Sequence, residues 1–432
     1  MHTSRTSSSS RTSNISSSSR TSSSSRTSST SRSTRRHFLG QLAIAGGALA
    51  AGRLKLPAAD TPPTTPPASP TPPTPTPSPA SPPPPPPPAS PASPFTLPYP
   101  PGDISDFSRR LRPVGRVLET EDYYVWCNSP IYDADGSGRM HVYYSRWPAR
   151  HGMGGWINRC EIAHATAASP EGPFEFVSVI AAPRAGHFDA TTCHNPSVHY
   201  LDGKYYLYYM GTSDGQLASK RIGCAIAKNP AGPWTRCDEP LLHPGPPGAW
   251  DDLCNTNPAL IKHPARNEYW LYYKALKRDE YFAPAPKGTR IRGNRRYGLA
   301  ISATPEGPFK KHDANPVLDF APLGENKQLE DAFVWTEDGA IKLICRDMGF
   351  YDHFAGLLLE SKDGLHFDRP KIAYGGASVY NLNEPPAPRH LSRYGRFERP
   401  QFLMRDGKPE YLFTAAQGGR HMTASGFVFK VA

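Results

Sequence analysis

The chain runs to 432 residues with 50 prolines, too many for one ordinary globular domain, and 23 of them fall between residues 57 and 101. Residues 1 to 34 are almost entirely Ser, Thr and Arg, and neither stretch has the apolar side chains whose burial offsets the entropy of ordering a chain, so the folded part is expected in residues 102 to 432. The net charge of +11 does not point to nucleic acid: nine basic residues and one acid precede residue 102, leaving 40 basic against 37 acidic residues on the remainder, without the excess a phosphate-backbone binder carries.

In chain order, the Ser/Thr/Arg leader is expected to be disordered. Within residues 33 to 56, Arg35 and Arg36 precede Phe38-Leu39 and an apolar, Gly/Ala-rich stretch reaching about Ala51. This resembles the twin-arginine export signal. It is shorter than the roughly 20 apolar residues of a membrane span, and the small residues at 48 to 52 offer a cleavage site. The resemblance implies passage through the twin-arginine machinery, a periplasmic or secreted protein and no transmembrane anchor after cleavage. Residues 57 to 101 read as a Pro-rich linker, extended at about 3.1 Å per residue.

From residue 123 a unit of roughly 60 to 75 residues recurs, and such a period fixes the fold before any motif does. The clearest copies are FDATTCHNPSVHYLDGKYYLYYMG (188 to 211) and WDDLCNTNPALIKHPARNEYWLYYKA (250 to 275); weaker ones start at 126, 329 and 397. Each reads as two strands joined by a turn, and three are followed by a Pro, then Gly-Pro and an aromatic: SPEGPF, NPAGPW and TPEGPF. Four strands per unit and five units predict an all-β, five-bladed β-propeller in residues 102 to 432. Only 35 residues remain from Glu398 onward, so residues 113 to 119 are expected to supply the last strand and close the ring.

In that fold the residues before each unit's Pro position become neighbours at the axis: Asn128 and Ser129, His194 and Asn195, Thr256 and Asn257, Glu330 and Asp331, Glu398 and Arg399. Nearly all are polar or ionisable, which suits a ligand site better than a dry plug. The repeat grammar resembles the five-bladed propeller glycosidases, nearest to glycoside hydrolase family 43 and its relatives. The resemblance implies a glycosidase with its acid at Glu330, whereas the usual base and pKa-tuning positions fall on Ser129 and Asn257. The fragment WCNSP, opened by Trp126, carries Ser where a β-fructosidase nucleophile would be.

Glycoside hydrolysis needs two carboxyl groups flanking the bond, one protonated and one charged. Glu330 and Glu398, in the same slot of two units, are the expected pair, with Asp331 as alternative base; strand alternation sets Asp331 on the opposite side from Glu330. Expected substrate contacts are Trp126, Asn128, Asp189, His194, Asn195, Asp251, Asn257, Arg346 and Arg399, although Asp189 and Asp251 also recur as loop caps would. The insertion at 274 to 298 carries Lys274, Lys277, Arg278, Lys287, Arg290, Arg292, Arg295 and Arg296, which suits an acidic glycan.

Asp133 to Gly138 faintly resembles a calcium loop, but Tyr144 stands where the last acidic ligand belongs, so a turn is expected. No cofactor is required; a structural calcium near the propeller axis is compatible with this reading. Seven cysteines, an odd number without a Cys-x-x-Cys pair, are expected as mostly buried thiols. A monomer acting on carbohydrate is the expected state.

Overall fold

The computed structural model describes residues 95–285, 291–324, 327–380 and 391–432. The leader, the export signal and the linker up to residue 94 lie outside the described residues, as do Lys287 and Arg290. Phe95, Leu97 and Tyr99, at the linker's end, pack against the core.

The second unit is an antiparallel sheet of β6 (Thr192–Leu201), β7 (Lys204–Thr212), β8 (Arg221–Ala227) and β9 (Thr235–Arg236). The third has β10 (Cys254–Lys262), β11 (Tyr269–Leu276), β12 (Arg296–Ser302) and β13 (Lys310–Lys311); the fourth has β14 (Leu329–Glu337), β15 (Ala340–Asp347), β16 (Gly356–Ser361) and β17 (Lys371–Tyr374). A larger sheet joins β2 (Tyr123–Tyr132), β3 (Met140–Pro148), β4 (Glu161–Ala167) and β5 (Glu175–Ala181) to β18 (Glu398–Arg405), β19 (Lys408–Gly418) and β20 (Thr423–Val431). Its two halves meet at one parallel bridge, Tyr124 to Ala424. The end of the chain is completed from its beginning: β1 (Leu111–Val117) pairs with β20, two residues earlier than expected from sequence.

The middle strands explain the Tyr-rich runs. Alternate residues of a strand face opposite sides, and in β7 both sides are buried: Leu207 and Tyr209 pack on the first unit, Tyr206 and Tyr208 on the third. In β11, likewise, Leu271 and Tyr273 face the second unit while Trp270 and Tyr272 face the fourth. A buried Tyr must also place its hydroxyl, and the turn between the third and fourth strands of the next unit accepts it. Tyr143 donates to the Pro230 carbonyl at 2.6 Å, Tyr208 to that of Pro305 at 2.6 Å and Tyr272 to that of Gly364 at 2.8 Å. Two features of the repeat that looked separate are thus the two halves of one contact between neighbouring sheets.

The innermost strands β2, β6, β10, β14 and β18 adjoin one another in that order, and β18 returns to β2. Each carries a bulge, at Trp126/Ser129, His194/Ser197, Thr256/Ala259, Glu330/Phe333 and Glu398/Gln401. One residue in each bulge is left-handed: Cys127, Asn195, Asn257, Asp331 and Arg399, with φ from 52° to 67°. Such a conformation is unfavourable outside glycine, by roughly 1–2 kcal/mol, and re-aims the side chains around it.

Candidate active site

The bulges sort the axial residues into two layers. The left-handed residues form a hydrogen-bonded chain across the units. Cys127 Sγ donates to Asn195 Oδ1 at 3.0 Å, Asn195 Nδ2 to Asn257 Oδ1 at 3.1 Å, and Asn257 Nδ2 to Asp331 Oδ1 at 2.7 Å. Arg399 completes it by an ion pair to the same Asp331 oxygen. Burial pushes the Cys127 thiol up to about 12, which keeps it a donor. Asn195, Asn257, Asp331 and Arg399, read from sequence as substrate contacts or base, are therefore engaged with one another in a polar plug.

This arrangement corrects the alignment of the first unit. Its bulge precedes Pro130 by two more residues than the others precede theirs, so the axial residues are Trp126 and Cys127, not Asn128 and Ser129. Asn128 instead donates to the Thr414 carbonyl at 2.9 Å, and the Ser129 hydroxyl accepts from the Val198 amide at 2.9 Å. Cys127 thus fills the slot that Asn257 and Asp331 fill elsewhere.

Above the plug stand Trp126, His194, Thr256, Glu330 and Glu398. Glu330 is ion-paired with Lys274, with Arg295 Nε at 3.4 Å and with Arg346 Nη1 at 3.8 Å. Glu398 pairs with the same Arg346 nitrogen at 2.9 Å and with Arg393 at 3.1 Å. Arg346 therefore stands between the two carboxylates. Burial opposes the charge on both, but the cations win: Glu330 is held well below the ordinary carboxylate range by Lys274 and Arg295, and Glu398 is lowered by Arg346 and Arg393. Asp331 moves the other way, raised by burial and by the neighbouring Glu330. The strict alternation expected for Glu330 and Asp331 does not apply, because the bulge between them lets both face the axis in different layers.

His194 is packed rather than presented. Its ring lies 5.5 Å from that of Trp156 and 5.8 Å from that of Trp147, with Cys160 Sγ 3.3 Å from Nδ1 and Cys127 Sγ 3.8 Å from Nε2. Burial pushes it well below the imidazole range, so it is neutral. Asp189 and Asp251 are not brought to the axis. Asp189 is buried between Arg184 and Arg236 and accepts from Tyr209, while Asp251 pairs with Lys311; Arg236 and Lys311 lie on the outermost strands β9 and β13. The recurring acid is thus a structural tie in the second and third units.

Sequence reasoning missed Lys220 and Arg393 and gave Lys274 and Arg295 only to a basic loop. Lys274 lies opposite Thr256 in register, as Arg346 lies opposite Glu330. The signal was a lysine ending a run, YWLYYKAL, buried throughout.

Calcium takes six to eight oxygen ligands. The plug offers a thiol and a guanidinium beside one carboxylate, and among the described residues no three His, Cys, Asp or Glu side chains gather as a metal site. These residues do not fit that ion. The seven cysteines are free thiols, and the Asp133 to Gly138 segment is a turn between β2 and β3 whose Asp133 accepts from Tyr205 at 2.9 Å.

Asn257 offers a test of the plug. Asn257→Asp removes the amide donor and sets a second carboxylate against Asp331, so stability should fall by about 1–3 kcal/mol. Two carboxylates in one site keep a proton to higher pH than they do in the unfolded chain. Part of the loss should therefore return as pH falls from 8 towards 5, as measured by urea denaturation.

Sheets packed around a polar axis, with an N-terminal strand closing the last unit, make this chain a β-propeller. Among solved structures it is similar to Zg3597, a family 117 glycoside hydrolase of the marine bacterium Zobellia galactanivorans, at 19% identity and a TM-score of 0.52, over 72% of this chain and 85% of that one. A second similar structure, described as a glycoside hydrolase, has 13% identity and a TM-score of 0.53, over 74% and 91%. A third, BT0996 in a complex with RGII, matches at 13% identity and a TM-score of 0.52, over 73% and 90%. At these identities the likeness establishes the fold. No protein-family model and no curated protein matches the chain. No helix among the described residues is long and apolar enough to cross a membrane.

Proposed function

We propose that the chain is an exported, five-bladed propeller glycoside hydrolase that cleaves an oligo- or polysaccharide with inversion. The observation that carries this reading is the pair of buried carboxylates, Glu330 and Glu398, on neighbouring inner strands with Arg346 between them. Glu398, kept ionised by Arg346 and Arg393, takes a proton from water. The water oxygen bonds to the anomeric carbon, the bond to the leaving oxygen breaks, and Glu330 supplies the proton that oxygen needs.

Without substrate Glu330 is a carboxylate and has no proton to give. Burial nevertheless favours the protonated form. When Lys274 and Arg295 turn to another acceptor, the carboxylate loses two of the cations that hold it charged, and the balance moves towards the acid.

The test is turnover on a panel of neutral and acidic oligosaccharides, with the anomer of the first product read by NMR. Release of the inverted sugar supports the reading; retention overturns the stereochemistry. A carbohydrate-binding propeller without turnover is the second reading, favoured by the plug, in which Asp331 is the one carboxylate among Cys127, Asn195, Asn257, Asp331 and Arg399. Binding without turnover would select it. Turnover that requires inorganic phosphate would instead make the protein a phosphorylase.

A further inference from the structure

The upper layer holds more positive than negative charge. Its carboxylates are Glu330 and Glu398, with Asp331 below; facing them are Lys274, Arg295, Arg346, Arg393 and Arg399, each in an ion pair. One more cation has no such partner. Lys220 ends the loop between β7 and β8, is 5% exposed, and among the described residues no carboxylate pairs with it. Its Nζ rests 4.6 Å from the ring centroid of Trp156, the same indole that packs on His194. A buried ammonium without a carboxylate partner is costly, and burial followed by the charge of Lys274 lowers Lys220 to about 7; an arriving anion favours its charged form.

Its place in the repeat is also informative. Lys220-Arg221-Ile222-Gly223 leads into β8 as Arg295-Arg296-Tyr297-Gly298 leads into β12, so two consecutive units deliver a cation from the same position to the surroundings of Glu330. Lys274, from the middle strand of the third unit, lies with them; its charge and that of Lys220 oppose each other.

We propose that this cluster of cations binds an anionic substituent of a sugar, a carboxylate or a sulfate ester, with Lys220 as its principal contact and Lys274 and Arg295 beside it. This rests on the glycosidase reading only for its link to catalysis. The bound anion gives Lys274 and Arg295 a second acceptor, loosens their hold on Glu330, and so arms the acid only when the correct ligand is present. A neutral sugar in the same place leaves Glu330 ionised.

The test is calorimetric titration of the folded chain with uronate, sulfated and neutral oligosaccharides of matched length, and with inorganic sulfate and phosphate alone. At least one anionic sugar should bind at least tenfold tighter than its neutral counterpart; which one separates carboxylate from sulfate recognition. Lys220→Met keeps the length and apolar body of the side chain and should weaken that ligand about 10- to 100-fold, the range for a lost charged hydrogen bond. Lys220→Arg should retain most of the affinity, and Lys220→Met, which removes a costly buried charge, should melt no lower than the wild type.

Equal affinity for anionic and neutral sugars, binding by no anionic member of the panel, or undiminished binding by Lys220→Met each overturns the proposal. Selective anionic binding without turnover would sink the hydrolase reading and leave this one standing. Turnover confined to neutral glycans would do the reverse.

Discussion

Glu330→Gln should lower turnover on unactivated glycosides by a factor on the order of 100 to 10,000, the range for loss of a general acid. The amide has the shape of the carboxyl and can still accept from Lys274, so the fold and the chamber wall are kept while the transferable proton is lost. Leaving groups that depart without a proton should suffer least, and a plot of turnover against leaving-group pKa should steepen in the variant. The same substitution removes a negative charge from a layer already rich in cations, so an anionic ligand should bind the variant at least as tightly as the wild type. A variant with full activity on natural glycosides would mean the acid lies elsewhere.

The sequence made the sheets legible because their cause is local and repeated. Tyr-rich middle strands and the turns before the outer strands recur at one spacing, since one Tyr of a unit donates to the turn of the next, as Tyr208 does to Pro305. The closing strand was legible for the same reason, because the last unit was one strand short. The axial layers were harder to read. Proline marked the bulge in three units, but in the first the nearest proline, Pro130, lies beyond it, and counting back from there named Asn128 and Ser129 in place of Trp126 and Cys127. No periodicity reveals a left-handed residue when its type is Cys or Arg.

The distinction between plug and chamber was also hidden. Asn195, Asn257 and Asp331 look like ligands in sequence, yet they satisfy one another. The cations that set the ionisation of Glu330 come from different loops and strands, and only the ring brings them together. Arg346 was found because it follows a clear repeat, and Lys274 occupies the same register one unit earlier. Lys220 lies outside the conspicuous basic insertion, and its likeness to Arg295 emerges only when the two stretches before β8 and β12 are superposed.

Glu398→Ala should reduce hydrolysis by a similar factor, on the order of 100 to 10,000, and added azide should restore turnover. Glu398 is fully buried and held between Arg346 and Arg393, so its removal leaves a space lined by two guanidinium groups, suited to a small anion. Azide in that space attacks the anomeric carbon from the face opposite the leaving oxygen, which departs with the proton of Glu330. The product should be a glycosyl azide of inverted anomeric configuration, identified by NMR. A glycosyl azide of retained configuration would imply an intermediate on the enzyme and carboxyls nearer the ~5–5.5 Å separation of retaining enzymes than the ~6.5–9.5 Å of inverting ones. Unchanged hydrolysis by Glu398→Ala would pass the base to Asp331, which would first have to give up Arg399 and Asn257. That exchange breaks the plug and uses part of the binding free energy, so substrate should raise the melting temperature less than a ligand of similar size that leaves the plug intact.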